Sequence, residues 1–365
     1  TQLIDNKNNL TKLEFYNDLK KKHKNVGFSF GPYYFLNTNK FEIFPFSGKS
    51  NSKIINCNES GYFSTYLTDR FGFNNSDNIW EKESFDFVLV GDSYVEGACV
   101  NKPYDLTSVL SLNSNYDFLN LAHGGNGPLV AYAVAKEYLS DRKFKNLIYF
   151  FSEGNDLENL NSEIKNKQLI NYLDNYDYSQ NLLQKVSVVD GILNKITENE
   201  INDQLKRNKD IRAELDYRAK ININPETKKF KIFRALKLYH TRSMIFKKQY
   251  DMVYNPLKVD TAIENEVKKI LRLMKRFSLE NNANFYIAYL PTWMKYNGFN
   301  DFDDRYYLLK KITSELEINF IDLHKDFFQK TDNPNKYFVY GGNSHYNEKG
   351  YNDIANYVLD FLKNE

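Results

Sequence analysis

The stretch Phe85-Asp86-Phe87-Val88-Leu89-Val90-Gly91-Asp92-Ser93 decides how this chain is read. A short, mostly apolar run that stops at a glycine is what a buried parallel strand leaves in sequence, because both of its faces are covered. Ser93 then falls where the next helix begins, with its hydroxyl toward a cleft and backbone N–H groups nearby. Four similar runs follow: Tyr116 to Leu121, Asn146 to Phe151, Asn284 to Leu290 and Ile318 to Leu323. Between them lie segments with apolar spacing of three and four, Leu129 to Leu139, Ile263 to Leu279 and Tyr306 to Leu316, and Gly350 to Leu362 ends the chain as a helix. Strand and helix alternating over five strands predict an α/β fold, a doubly wound parallel sheet with helices on both faces. In such sheets ligands bind beyond the carboxyl ends of the strands. The polar, glycine-rich motifs after the first three strands fall there.

Two regions stand outside this alternation. Residues 1–83 read as an N-terminal extension packing on the main domain, with a helix over Leu10 to Leu19 and short aromatic strands over Val26 to Phe46, broken by Gly31-Pro32 and Pro45. Residues 84–365 read as the main domain, interrupted between its third and fourth strands by an insert at about 161–258. The insert is rich in Asn, Lys and Asp, yet Leu, Ile, Tyr and Phe recur through it. That pattern predicts a helical subdomain able to roof the site. Ser47-Gly48-Lys49-Ser50 is not a phosphate-binding loop, because Ile43 stands where that loop needs its first glycine.

Composition limits the function classes. The 365 residues are 42% hydrophobic, enough to bury a sizeable core, and 26% charged. The 49 Lys and Arg against 47 Asp and Glu leave a formal charge of +2, which removes the electrostatic footprint of a nucleic-acid binder. No run of about 18 apolar residues is present, so no transmembrane helix is expected. Cys57 and Cys99 are too few for a disulfide framework or a cysteine-rich zinc site, though one bridge between them stays open. His23 and His240 are isolated, and five histidines in all make no metal cluster; neither metal nor cofactor is expected. The chain begins at Thr1, as it would after removal of a signal peptide or membrane anchor, and as an arbitrary boundary also would. The first reading favours a periplasmic or extracytoplasmic place over a cytoplasmic one. The aromatic content, 28 Tyr and 28 Phe, reads first as compositional bias and second as a sugar-binding surface.

Four motifs carry the chemistry. Gly91-Asp92-Ser93 follows the first strand, Asn120-Leu-Ala-His-Gly-Gly125-Asn-Gly127 the second, and Glu153-Gly-Asn155-Asp156 the third; Asn343-Ser-His345-Tyr-Asn-Glu-Lys-Gly350 leads into the last helix. In that order and at those places the chain resembles the SGNH (GDSL-type) hydrolase family over roughly Phe85 to Leu160 and Asn284 to the end. The resemblance implies a flavodoxin-like three-layer sandwich with a five-stranded parallel sheet, interrupted here by a helical insertion. It implies Ser93 as nucleophile, Gly125 and Asn155 as oxyanion donors and His345 as general base. Tyr62 to Phe73, with Asp69-Arg70-Phe71-Gly72-Phe73, resembles the segment preceding the catalytic domain in members from cell-surface polysaccharide gene clusters.

The activity so implied is a serine esterase or O-acyltransferase on acyl esters, acetylated carbohydrate above all, with a small-molecule or glycan ester as partner. The chain departs from the family at one point that matters. An Asp is usual three or two residues before the histidine, and here those positions hold Gly342 and Asn343. Asn343 could orient His345 but has no charge to stabilise an imidazolium. The site is then a Ser93–His345 dyad, or takes an acid from elsewhere, or is weakened. The last case makes the chain a silent SGNH-fold protein binding a polysaccharide or a partner. Glu348, three residues after the histidine, reads as a helix cap rather than a relay. Glu153 stands where a glycine is common, and its carboxylate would oppose an oxyanion if it pointed inward. His123 and Trp293 are further candidates for substrate contact, against the plainer readings of a loop histidine satisfied by backbone and an aromatic packed at the rim. Asp92 is expected to hold the strand-to-helix turn, and His324 to be a surface or helix-start residue.

Overall fold

The structure, a computed structural model, describes residues 4–5, 10–36, 41–221, 257–297 and 303–364. Its centre is a sheet of five strands: β1 (Ser84–Val90), β2 (Phe118–Asn120), β3 (Lys143–Ser152), β4 (Asn284–Leu290) and β5 (Asn319–Ile321). Their order is β5-β4-β3-β1-β2 and every pairing is parallel. This is the flavodoxin-like arrangement, and it matches the five strands expected from the apolar runs.

The period of two along each strand sorts the core into two layers. Phe87, Leu89, Ile148, Phe150, Tyr286, Ala288 and Leu290 share one buried cluster with residues of the helices Leu106–Leu112 and Glu348–Lys363. The helices Pro128–Leu139 and Thr261–Glu280 pack on each other and against the sheet. Pro128–Leu139 is apolar almost all round and buried along nearly its whole length, as a helix covered on every side must be. Thr261–Glu280 buries only Ile263, Val267, Ile270, Leu271, Met274, Phe277 and Ser278, a stripe at spacings of three and four.

The chain divides into two compact units, one of Thr1–Lys195 with Val259–Glu365 and one of Ile196–Lys258. The segment expected to open the insert at residue 161 therefore lies, up to Lys195, within the larger unit. There Lys167–Asp174 buries Leu169, Tyr172 and Leu173. Of the second unit, the described part continues the helix Val186–Ile221. The roofing role given to the insert, and His240, fall largely or wholly outside the described residues. No helix among the described residues is long and apolar enough to cross a membrane.

The N-terminal segment belongs to the larger unit and covers the open edge of β2. Asn75 donates its amide to the Asn120 carbonyl at 2.8 Å and accepts the Asn120 N–H at 3.0 Å, standing in for a neighbouring strand. Asp69 accepts from Phe71 and Phe73 N–H, the Asn75 amide and the Trp80 indole. Gly72 sits at φ +93°, where a Cβ would fall 1.9 Å from the Gly48 carbonyl oxygen, so no other residue fits. Among the described residues, the expected strands over Val26 to Phe46 reduce to one, Val26–Phe28, paired with Lys53–Ile55; after Pro32 the chain turns into a short helix, Tyr33–Leu36. Phe28, Phe30, Phe35, Phe44, Phe46, Phe73 and Trp80 are buried there. Each such side chain contributes about 1.5–3 kcal/mol on burial, so much of the aromatic excess is core rather than sugar-binding surface.

Candidate active site

Four segments meet beyond the carboxyl ends of β1, β2 and β3. In the first three, Ser93, Gly124 and Gly125, and Gly154 and Asn155 are partly exposed between buried neighbours, and in the fourth His345 is partly exposed beside buried Tyr346. Ser93 opens the short helix Ser93–Glu96, capped by Asp92, which accepts the Tyr94 N–H at 3.0 Å. This is the structural task expected of Asp92. The glycine loop after β2 lies directly against the serine, since a Cβ on Gly124 would be 3.6 Å from Ser93 Cβ. Asn120 ties the two together, donating to the Val95 carbonyl at 2.7 Å and accepting the Ala122 N–H at 2.8 Å. Gly125 adopts φ +83°, the left-handed conformation that lets the loop turn here. Among the described residues neither the Ser93 nor the Gly125 N–H has an acceptor within the protein.

His345 arrives from the other end of the chain. Its loop is pinned by the Tyr346 hydroxyl on the Pro291 carbonyl at 2.6 Å and by Asn347, which caps the last helix through the Gly350 N–H at 2.9 Å. Asn347, and not the exposed Glu348, is therefore the cap. The Trp293 indole N–H donates to the Gly341 carbonyl at 2.8 Å, so this ring braces the loop before His345. The Tyr94 ring packs 4.9 Å from the imidazole, centre to centre.

His345 Nε2 lies 2.7 Å from Ser93 Oγ. Its Nδ1 lies 3.1 Å from Oε2 of Glu59, which also accepts the His345 backbone N–H at 2.7 Å. The orienting group at Nδ1 is thus a carboxylate from the N-terminal segment, and Asn343, exposed two residues before the histidine, does not fill that place. A carboxylate at Nδ1 only accepts, so Nδ1 carries the proton and the Nε2 lone pair is free to take the Ser93 hydroxyl hydrogen. Burial lowers the His345 pKa, but the hydrogen bond and charge of Glu59, with the charges of Asp92 and Glu96, outweigh it and leave the pKa raised. Burial likewise raises the Glu59 carboxyl, and its bonds to His345 more than offset this, leaving it below the usual carboxylate value.

Glu59 sits at the tip of the hairpin joining Lys53–Ile55 to Thr65–Leu67, two residues after Cys57. Cys57 is bonded to Cys99, six residues after Ser93. This bridge joins the tip to the segment that carries the serine. The potential ligand atoms of Cys57, Glu59, Cys99 and His345 fall within 4.8 Å of one another. The two sulfurs are spent on each other, however, and a disulfide has no thiolate to give a metal.

His123 is 3% exposed, with both ring nitrogens turned to partners inside the protein. Its Nδ1 is 3.1 Å from Glu96 Oε1 and its Nε2 is 2.9 Å from the Phe30 carbonyl. Both partners only accept, so the ring is an imidazolium, and the substrate contact expected of it is corrected to a structural ion pair. Glu96, 1% exposed, also accepts from the Ser29 and Tyr66 hydroxyls at 3.0 and 2.5 Å and from the Gly124 N–H at 3.0 Å. The pair thus braces the glycine loop from behind. Glu153 points into its own network, accepting from the Tyr289 hydroxyl, the Thr292 N–H and Lys295 Nζ, so its carboxylate is fully engaged. His324 does begin a helix, Leu323–Asp326, but is buried against the Tyr296 hydroxyl, and burial together with Lys295 pushes its pKa down to about 4.

No family model matches the chain and no curated protein matches it. Solved structures do. One is a member of the lipolytic protein G-D-S-L family from Veillonella parvula DSM 2008, with 12% identity over 75% of this chain and 96% of that one, TM-score 0.39. A second is an acetyl xylan esterase, with 10% identity over 76% and 99%, TM-score 0.40. A third is the lipase/acylhydrolase from Enterococcus faecalis, with 9% identity over 76% and 96%, TM-score 0.40.

Proposed function

We propose that this protein is a serine esterase or O-acyltransferase working through Ser93, His345 and Glu59. The observation that carries the reading is the continuous contact from Ser93 Oγ to His345 Nε2 and from His345 Nδ1 to the Glu59 carboxylate. Ser93 Oγ attacks the acyl carbonyl carbon while its proton passes to His345 Nε2, and Glu59 stabilises the imidazolium. The oxyanion takes the N–H groups of Ser93 and Gly125 and the side-chain amide of Asn155. His345 then protonates the departing alkoxide, leaving an acyl group on Ser93. Water releases that group in an esterase; an acceptor hydroxyl takes it in a transferase.

An acylated carbohydrate is the substrate class we favour, on the likeness of Tyr62 to Phe73 to segments of polysaccharide-cluster proteins. The silent-binder alternative drew its support from the lack of an acid beside the histidine, and Glu59 removes that support. The test is labelling with a fluorophosphonate probe and peptide mapping, beside Ser93→Ala and His345→Ala. Labelling at Ser93 that both substitutions abolish is expected. Folded wild-type protein that takes no label overturns the reading.

A further inference from the structure

We propose that the Cys57–Cys99 disulfide is the positioning device of this site, clamping Glu59 onto His345 so that Ser93 is activated only when the two cysteines are oxidised. This rests on the serine-hydrolase reading above. The three members of the site come from three distant parts of the chain, and only the acid comes from a hairpin tip. Glu59 is 37% exposed and His345 23%. Glu59 holds His345 through two hydrogen bonds, at Nδ1 and at the backbone N–H, but contacts this open to water do not by themselves keep a hairpin tip in one place. At the tip, Ser60 Oγ donates to the Cys99 carbonyl at 2.8 Å and the Tyr340 hydroxyl to the Ser60 carbonyl at 2.8 Å, while at the base of the hairpin the Thr65 N–H donates to Asn101 Oδ1 at 2.9 Å. The two at the tip are single neutral hydrogen bonds at a partly exposed edge, where water competes for each partner, and the third lies six residues from Glu59.

The disulfide differs in kind. One residue separates Cys57 from Glu59, and Cys99 Sγ itself lies 3.4 Å from His345 Nδ1. The bridge therefore fixes the tip within reach of the imidazole and in line with the nucleophile segment. Cys99 holds φ +67°, a left-handed conformation costly for a residue with a Cβ, on the very segment the bridge must meet.

Reduction by a dithiol proceeds by two exchanges. A thiolate of the reductant attacks one protein sulfur and expels the other, and its second thiol then closes on the first. Cys57 and Cys99 end as thiols, the reductant as a cyclic disulfide, with two electrons and two protons transferred. The covalent link between hairpin tip and nucleophile segment is gone, and Glu59 is free to leave Nδ1.

Two readouts test this on the full chain. The first is the rate of fluorophosphonate labelling at Ser93 in oxidised, dithiothreitol-reduced and Cys57→Ala/Cys99→Ala protein, each with and without Glu59→Gln, with circular dichroism as the check on folding. Loss of the bridge is expected to slow labelling by about 30-fold or more, reoxidation to restore it, and Glu59→Gln to cost far less once the bridge is absent. The second is the imidazole pKa of His345 by NMR, in a chain with five histidines. The groups facing that ring are Glu59 from the hairpin and Asp92 and Glu96 from the nucleophile segment. With Glu59 released, the pKa is expected to fall by about one unit in the folded double alanine variant. An unchanged pKa, or a Glu59→Gln effect equal with and without the bridge, overturns the proposal. Oxidised wild type that takes no label at Ser93 overturns the hydrolase reading instead, and the pKa comparison then still decides whether the disulfide sets Glu59 on His345.

Discussion

Glu59 and His345, 286 residues apart, are joined twice, once through the backbone N–H and once through Nδ1. With the hairpin tip in place, the double contact bears on both the backbone and the ring of His345, so the carboxylate acts on the orientation of the imidazole as well as its charge. Glu59→Gln keeps the shape and removes the charge. We expect kcat on a p-nitrophenyl ester to fall about 100- to 10,000-fold with a much smaller change in KM, since the charge matters most when the imidazolium forms. A loss below about threefold would show that Ser93 and His345 work as a dyad.

The same contact sets the acid limb of the pH profile. Only neutral His345 can accept the Ser93 proton, so activity rises as pH climbs through its pKa, and that pKa is raised. The limb of kcat/KM therefore lies above the ordinary histidine value of about 6.5. Removing the Glu59 charge lowers the pKa and moves the limb to more acid pH, even as the plateau falls. Profiles of wild type and Glu59→Gln whose limbs coincide would contradict this.

The sheet was legible because buried parallel strands are apolar on both faces, and β4 was read to the residue as Asn284–Leu290. Ser93 and His345 were legible because each sits at a fixed place relative to a strand end or a helix start. Glu59 was not, since it lies in a segment of two- and three-residue strands where neither period two nor period three and four has room to show. One signal did point to it: with only two cysteines, one just before Glu59 and one just after Ser93, a single bridge brings that acid to the serine. The burial of His123 was hidden for the same reason, because Phe30, which accepts from its ring, and Ser29 and Tyr66, which hold its partner Glu96, come from that segment.

Asn155 is partly exposed at the start of the helix Asp156–Glu163, and in the proposed mechanism its side-chain amide donates to the oxyanion. A neutral donor of this kind acts where charge develops and adds little to ground-state binding. Asn155→Ala should lower kcat about 100- to 1,000-fold and leave KM within about threefold. A change confined to KM would place Asn155 in substrate binding and out of the oxyanion site.

The buried pair of His123 and Glu96 should make stability fall with rising pH. Burial works against the imidazolium, but Glu96 and the Phe30 carbonyl outweigh it and raise the His123 pKa in the folded protein. The folded state then binds a proton more tightly than the unfolded chain does. The stabilisation is complete below the unfolded value of about 6.5 and disappears as pH rises through the folded one. Glu96 stays ionised throughout, its own pKa lowered by His123, Tyr66 and Ser29 in spite of burial. When His123 loses its proton, a buried carboxylate is left with neutral donors only, and the Gly124 N–H that it holds is held less firmly. His123→Gln removes the titration while keeping a donor. Urea unfolding should show the variant furthest below wild type at pH 6, with the gap closing toward pH 9. A gap of equal size at both ends would mean that His123 is neutral in the folded protein and that the pair is an ordinary hydrogen bond.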